Sequence, residues 1–135
     1  MTTEVEDFLN EWHRIVAERD LDGLRRVLAP EITMGAPPYW ARIEGHARVH
    51  HLLGLIVNTI EGFTYHREWV QGFELALEFT GRVGELDVQG IDLITLDDRL
   101  VITRLDVMIR PMNALEALRD VIAPKMVAFL QGEKA

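Results

Sequence analysis

Two carboxylates stand out because of their neighbours. Read with alternating faces, the stretch Val88, Gly90, Asp92, Ile94, Leu96 places Asp92 in an otherwise apolar row. The following stretch reads Leu100, Ile102, Arg104, Asp106, Met108, Arg110, with Asp106 between Arg104 and Met108. As hairpin neighbours the two strands can bring both acids to the same face. Desolvation and mutual repulsion then raise one pKa and leave a neutral acid beside an ionised base, a pairing suited to proton transfer. The catalytic candidates are therefore Asp92 as the acid, Asp106 as the base, and Arg104 or Arg110 setting the charge. The structural alternative is that Arg104 or Arg110 neutralises Asp106, while one acid faces solvent or a dimer partner.

His46 and His50 lie four residues apart at the start of a helical stretch, the spacing of a metal-binding pair. The residues between them are Ala47, Arg48 and Val49, so HExxH is absent and no third ligand is apparent; no metal is expected. His13, His46, His50, His51 and His66 read as polar-face residues, with His46 or His50 available to the mouth of a cavity. Trp12, Met34, Tyr39, Trp40, Phe79 and Met108 would wall an apolar pocket for a bulky, weakly polar ligand, with His50 and Arg110 completing the ligand-binding set. The alternative for these aromatic residues is core or rim packing. The chain has no G-x-G-x-x-G, no Walker A and no G-x-S-x-G, so neither a nucleotide loop nor a serine-hydrolase elbow is expected, and no cofactor is implied.

The elements that must position these residues follow from periodicity. Val5, Phe8, Leu9, Trp12, Ile15 and Val16 form one helical stripe, with Thr3 and Glu6 as a capping box. A second helix carries Leu21, Leu24, Val27 and Leu28 and stops at Pro30. Residues 31–36 alternate as a short strand, with Ile32, Met34 and Ala36 on one side. Pro37 and Pro38 open a loop; Gly45 or His46 begins a third helix, which Gly62 ends. From Phe63 the period changes to two, predicting strands over 63–70, 73–82, 85–97 and 100–110 as an antiparallel meander. In the second of these, Phe73, Leu75, Leu77 and Phe79 share a face, and Glu74, Glu78 and Arg82 the other. Asn113 would cap a last helix, interrupted at Pro124, leaving 124–135 as a helical tail. The result is an α+β domain: a curved antiparallel sheet with helices on its concave face, a cone either filled by side chains or holding one apolar cavity.

Composition narrows the function classes. The chain has 135 residues, 48% hydrophobic and 27% charged, within the range of one globular domain spanning 1–135. A net charge of −8 opposes nucleic acid and anionic membrane surfaces. With no cysteine there is no disulfide, thiolate metal site or cysteine nucleophile. No secretory pattern or membrane-length apolar run is present, so the expected location is the cytoplasm.

Several pieces, in order, resemble a nuclear transport factor two-like domain of the SnoaL-like kind over residues 4–122. They are Arg-Asp-Leu-Asp-Gly at 19–23, Leu24 to Pro30, Ile32 to Pro38, the helix opened by Gly45, Gly90-Ile91-Asp92-Leu93, and Val107-Met108-Ile109-Arg110-Pro111. The resemblance implies a cystatin-like cone and places Asp92 where steroid delta-isomerases carry the hydrogen-bonding acid of the oxyanion hole. Trp12 stands where a tyrosine donor is expected, and Ala36 where the catalytic base is expected. Against limonene epoxide hydrolases, Asp106 matches one acid, but Phe79 and Gly81 stand where the arginine and the other acid belong. Neither catalytic set is complete. Similarity to polyketide-cyclase-like members implies an apolar pocket with an acid on the inner sheet, and the family implies a homodimer through the outer sheet face. The expectation is a cofactor-free acid–base isomerase, cyclase or hydrolase acting on a hydrophobic small molecule. The alternatives are a binding module without chemistry and a structural dimer with a filled cone.

Overall fold

The computed structural model describes residues 3–133, the Thr3 side chain apart, so the expected Thr3 cap falls outside it. Helix α1 (Thr3–Glu18) buries its Val5, Phe8, Trp12, Ile15 and Val16 stripe. The chain turns into α2 (Leu21–Arg26) at Asp20, whose carboxylate accepts from the Gly23 N–H at 3.0 Å. A Cβ at Gly23 would lie 2.6 Å from that carboxylate, so glycine lets the cap close.

Strand β1 (Leu28–Gly35) begins where the sequence predicts the end of α2. Pro30 does not stop a helix; it sits in the strand, within a register irregularity between Leu28 and Thr33 where a missing N–H is tolerated. Strand β2 (Ile43–Glu44), α3 (His46–Thr59), β3 (Glu61–Gln71), β4 (Glu74–Val83), β5 (Leu86–Leu96) and β6 (Ile102–Arg110) follow. The sheet runs β2-β1-β6-β5-β4-β3. Its β3–β6 part is the expected antiparallel meander, but β1 pairs β6 in parallel, so the sheet is mixed. Phe73 is not on the inner face of β4: it lies in the β3–β4 turn, 40% exposed, while Leu75, Leu77 and Phe79 are buried.

Helix α4 (Met112–Glu133) runs through Pro124 rather than stopping there. Pro124 is exposed, so the carbonyl it leaves unpaired can meet water, and buried Ile122 and Met126 on either side hold the axis together. Asn113 lies inside the helix, whose first bond is from Leu115 N–H to the Pro111 carbonyl. The α+β cone thus has α1, α3 and α4 against a curved six-stranded sheet. The core is formed by Phe79, Leu77, Ile94 and Leu105 of the sheet and by the apolar stripes of the helices. No described helix is long and apolar enough to cross a membrane.

Candidate functional site

Asp92 lies on the concave face of β5, in the row Val88, Gly90, Asp92, Ile94, Leu96, every member of which is buried. It is 6% exposed. Across the sheet Phe79 pairs with Gly90. A Cβ at Gly90 would collide with the Phe79 ring and lie 2.6 Å from the Met108 carbonyl oxygen, so this glycine lets the ring lie flat beside the acid. Phe63 stacks on Phe79 at 4.5 Å between centroids.

Tyr65 connects Asp92 to the helices. Its hydroxyl donates to Asp92 Oδ2 at 2.6 Å and accepts from Trp12 Nε1–H at 2.8 Å. Trp12 therefore supports the acid through Tyr65 rather than pointing its donor at the cavity. Burial pushes the Asp92 carboxyl up to about 7, only partly opposed by the Tyr65 hydrogen bond. Burial, followed by the charge of Asp92, pushes Tyr65 well above its ordinary value. No Asp92 ion pair occurs among the described residues.

Tyr65 was absent from the sequence-level candidates. Its signal is weak: it alternates with Phe63, but a register irregularity between Tyr65 and Glu68 then breaks the period. That irregularity turns Glu68 inward too, where Oε2 lies 2.5 Å from His13 Nε2, and the His13 ring lies 5.4 Å from that of Tyr65.

Asp106 does not meet Asp92. The register pairs Asp92 with Val107 and Leu93 with Asp106, so Asp106 lies on the convex face. The cause is an irregularity at Thr95/Leu96: Leu96 pairs with Ile102 and Thr95 with Arg104. The slip puts Ile102 inside and turns Arg104, Asp106, Met108 and Arg110 out, although simple alternation keeps all five together. Asp106 accepts from Arg42 Nη1 at 2.5 Å and from Arg104 Nε at 3.0 Å. Burial alone would raise its pKa, but the two guanidinium groups outweigh that and hold it below its usual range. Arg42, from the loop before β2, was not foreseen; it also donates to Thr33 Oγ1, and only the parallel β1–β6 pairing brings it here. Its Nη2 is buried without a hydrogen-bond partner among the described residues. Glu78, also convex, accepts from Arg67 and Gln89, which hold it at about 2.

Other expected site residues are dispersed. Met108 is 56% exposed on the convex face, and Arg110 donates outward to Gln89 at 2.9 Å. Trp40 is 100% exposed and cannot wall a pocket. Met34 is fully buried in the core, in contact with neither cavity described below. His50 and His46 do not reach a cavity: their Nε2 atoms donate to the Leu21 and Arg25 carbonyls, stitching α3 to α2. No group of three metal-ligating side chains occurs among the described residues.

The hollow of the cone is divided. A cavity of about 20 Å³, the space of a single water, is lined by Asp92, Tyr65, Trp12, Phe63, Phe79, Val107 and α3 residues. A groove of about 190 Å³ lies between α3, α4 and the proline loop. Its walls include Ala36, Tyr39, Leu52, Ile122 and Met126, and among the described residues Arg119 is its one charged lining residue.

The fold has solved counterparts. A steroid delta-isomerase from Pseudomonas aeruginosa is 34% identical, each chain covered to 97%, with a TM-score of 0.88. A bacterial protein with a cystatin-like fold from Silicibacter pomeroyi is 31% identical over 95% of this chain and 93% of that one, with a TM-score of 0.86. The chain belongs to the nuclear transport factor two-like superfamily, as a SnoaL-like domain. An epoxide hydrolase/cyclase-like enzyme of pyran ring formation in the polyether salinomycin shares the fold at 17% identity. It covers 83% of this chain and 94% of that one, with a TM-score of 0.69. No protein-family model matches the sequence, and no curated protein does. Within this SnoaL-like domain, Ala36 sits on the groove wall, so the position where the resemblance implies a base carries no titratable group.

Proposed function

We propose that this SnoaL-like domain is a cofactor-independent acid–base enzyme acting on a hydrophobic small molecule, with Asp92 carrying the proton. The supporting observation is the setting of that carboxyl: buried in an apolar row, bonded to Tyr65 through Oδ2, and held at about 7. An acid with that pKa is populated in both protonation states near neutrality, so it can give a proton to a substrate oxygen or take one from carbon. The Trp12–Tyr65 chain of donors stabilises the carboxylate left after donation, and the Phe63 and Phe79 rings keep water from competing. Asp106 and Arg104 have no part in this chemistry, being on the other face. The steroid delta-isomerase relative makes a ketone with a mobile carbon–carbon double bond the first substrate to try, and the epoxide hydrolase/cyclase-like neighbour makes an epoxide the second.

The test is Asp92→Asn with each substrate. Loss of about 10²- to 10⁴-fold in turnover, with an unchanged circular dichroism spectrum, supports the reading. Undiminished turnover removes it. The binding-module reading is favoured by one observation, the lack of a titratable group at Ala36. It predicts stoichiometric binding of a neutral apolar dye that Asp92→Asn leaves intact, with no turnover of any substrate.

The same proposal includes a homodimer through the convex sheet face, supported by exposed Trp69, Leu93 and Met108 there. Light scattering should give twice the 15.4 kDa chain mass, falling to one chain mass in Leu93→Lys/Met108→Lys.

A further inference from the structure

We propose that Ile56 is the specificity-determining partition of this domain, deciding which ligands reach Asp92 from the outer groove. The proposal rests on the reading of Asp92 as the acid end of the site. Among the described residues lining the groove and the acid cavity, Ile56 is the one shared by both. Helix α3 explains why. Leu52 faces the groove, Leu53 and Val57 face the acid cavity, and Ile56 falls between these two directions. It is 6% exposed and packed on both sides.

The side chain type matters as much as its place. A β-branched residue in a helix is held in one χ1 well, so the branching carbons of Ile56 stay put and only the terminal Cδ1 methyl swings. A ligand with a slender end can pass by displacing that methyl. A ring cannot pass without removal of the branch. Apart from Arg119 the described groove walls are apolar, and the acid cavity offers one carboxyl, so the favoured ligand is elongated, neutral and apolar, with a hydrogen-bond acceptor at its narrow end.

The experiment uses the full chain as native protein, Ile56→Ala and Ile56→Phe. The probes are methyl heptyl ketone, which is slender, and methyl naphthyl ketone, which is not. Affinity is measured by titration, and the Asp92 pKa by its carboxyl-carbon NMR shift. A ketone that accepts from the neutral acid raises that pKa. The slender ketone should raise it in the native protein and in Ile56→Ala but not in Ile56→Phe. The naphthyl ketone should raise it only in Ile56→Ala, where its affinity should increase about tenfold, the equivalent of roughly two newly buried methylene groups. If Ile56→Phe does not fold, Ile56→Val, which keeps the branch and lacks only the swinging methyl, should still leave Asp92 silent toward the naphthyl ketone while the slender ketone raises its pKa. Equal responses of Asp92 in all variants overturn the partition and leave Asp92 as the acid end. Binding in every variant with Asp92 silent in all overturns the reading of Asp92 itself, and the partition with it.

Discussion

The two faces of one sheet treat the same chemical group in opposite ways. On the concave face, Asp92 is sealed among apolar side chains, meets a neutral donor, and is pushed up to about 7. On the convex face, Asp106 meets Arg42 and Arg104 and is pushed down. The two acids are separated by a single step of register, Asp92 opposite Val107 and Asp106 opposite Leu93. Burial without a counter-charge makes a weak acid that can move a proton at neutral pH. Burial with guanidinium partners makes a fixed anion that ties strands together. The apolar wall is therefore as much a part of the candidate chemistry as the carboxyl.

The difference is tested most severely by pH. Asp92 binds its proton more tightly folded than unfolded, so its contribution is complete below the unfolded carboxyl range. It is lost as pH rises from about 4 to about 7. A shift from 3.8 to about 7 corresponds to a decline on the order of 4 kcal/mol across that window. Denaturant unfolding at a series of pH values should show this slope in the native protein and lose it in Asp92→Asn. A slope unchanged by the substitution would mean that Asp92 is not the weak acid described.

Asp106 should behave with the reverse sign. Its folded pKa is depressed, so its stabilisation is present above the unfolded carboxyl range and disappears as pH falls through the folded value. Asp106→Asn should destabilise at neutral pH by about 1–3 kcal/mol, because Arg42, with Nη2 already unpartnered, loses its strongest acceptor. Turnover of any substrate found should be unaffected, apart from the fraction unfolded. A loss of turnover in the folded fraction as large as that of Asp92→Asn would erase the distinction between the faces.

The sequence carried one side of this comparison well. Asp92 was legible because β5 keeps strict alternation from Val88 to Leu96, so period two reports its face directly. Asp106 was misread because the Thr95/Leu96 irregularity flips the phase of β6 in a run whose residue types still look regular. Arg42 was invisible for another reason: its approach depends on β1 joining β6 in parallel, a contact between segments more than sixty residues apart. The helices of the cone were readable from their apolar stripes. The end of α2 was not, because Pro30 reads equally as a helix stop and as a residue at a strand irregularity. Tyr65 combined both difficulties, an alternating position followed by a slip.

The smallest expected effect sharpens the concave side alone. Tyr65→Phe keeps the ring against Phe63 and Phe79 and removes only the hydroxyl that links Trp12 to Asp92. That hydroxyl favours the carboxylate, so its loss should move the Asp92 pKa above about 7, and leaving the Trp12 N–H without its acceptor should destabilise by about 1 kcal/mol. The two changes differ in their dependence on Asp92. In an Asp92→Asn background the Trp12 penalty persists, while the steeper pH slope produced by Tyr65→Phe has no group left to express it. A double-mutant cycle followed from pH 4 to pH 8 separates them. If the Asp92 pKa instead falls in Tyr65→Phe, the hydroxyl is accepting from the protonated acid rather than donating to the carboxylate, and only the Trp12-to-Tyr65 donation of the chain stands.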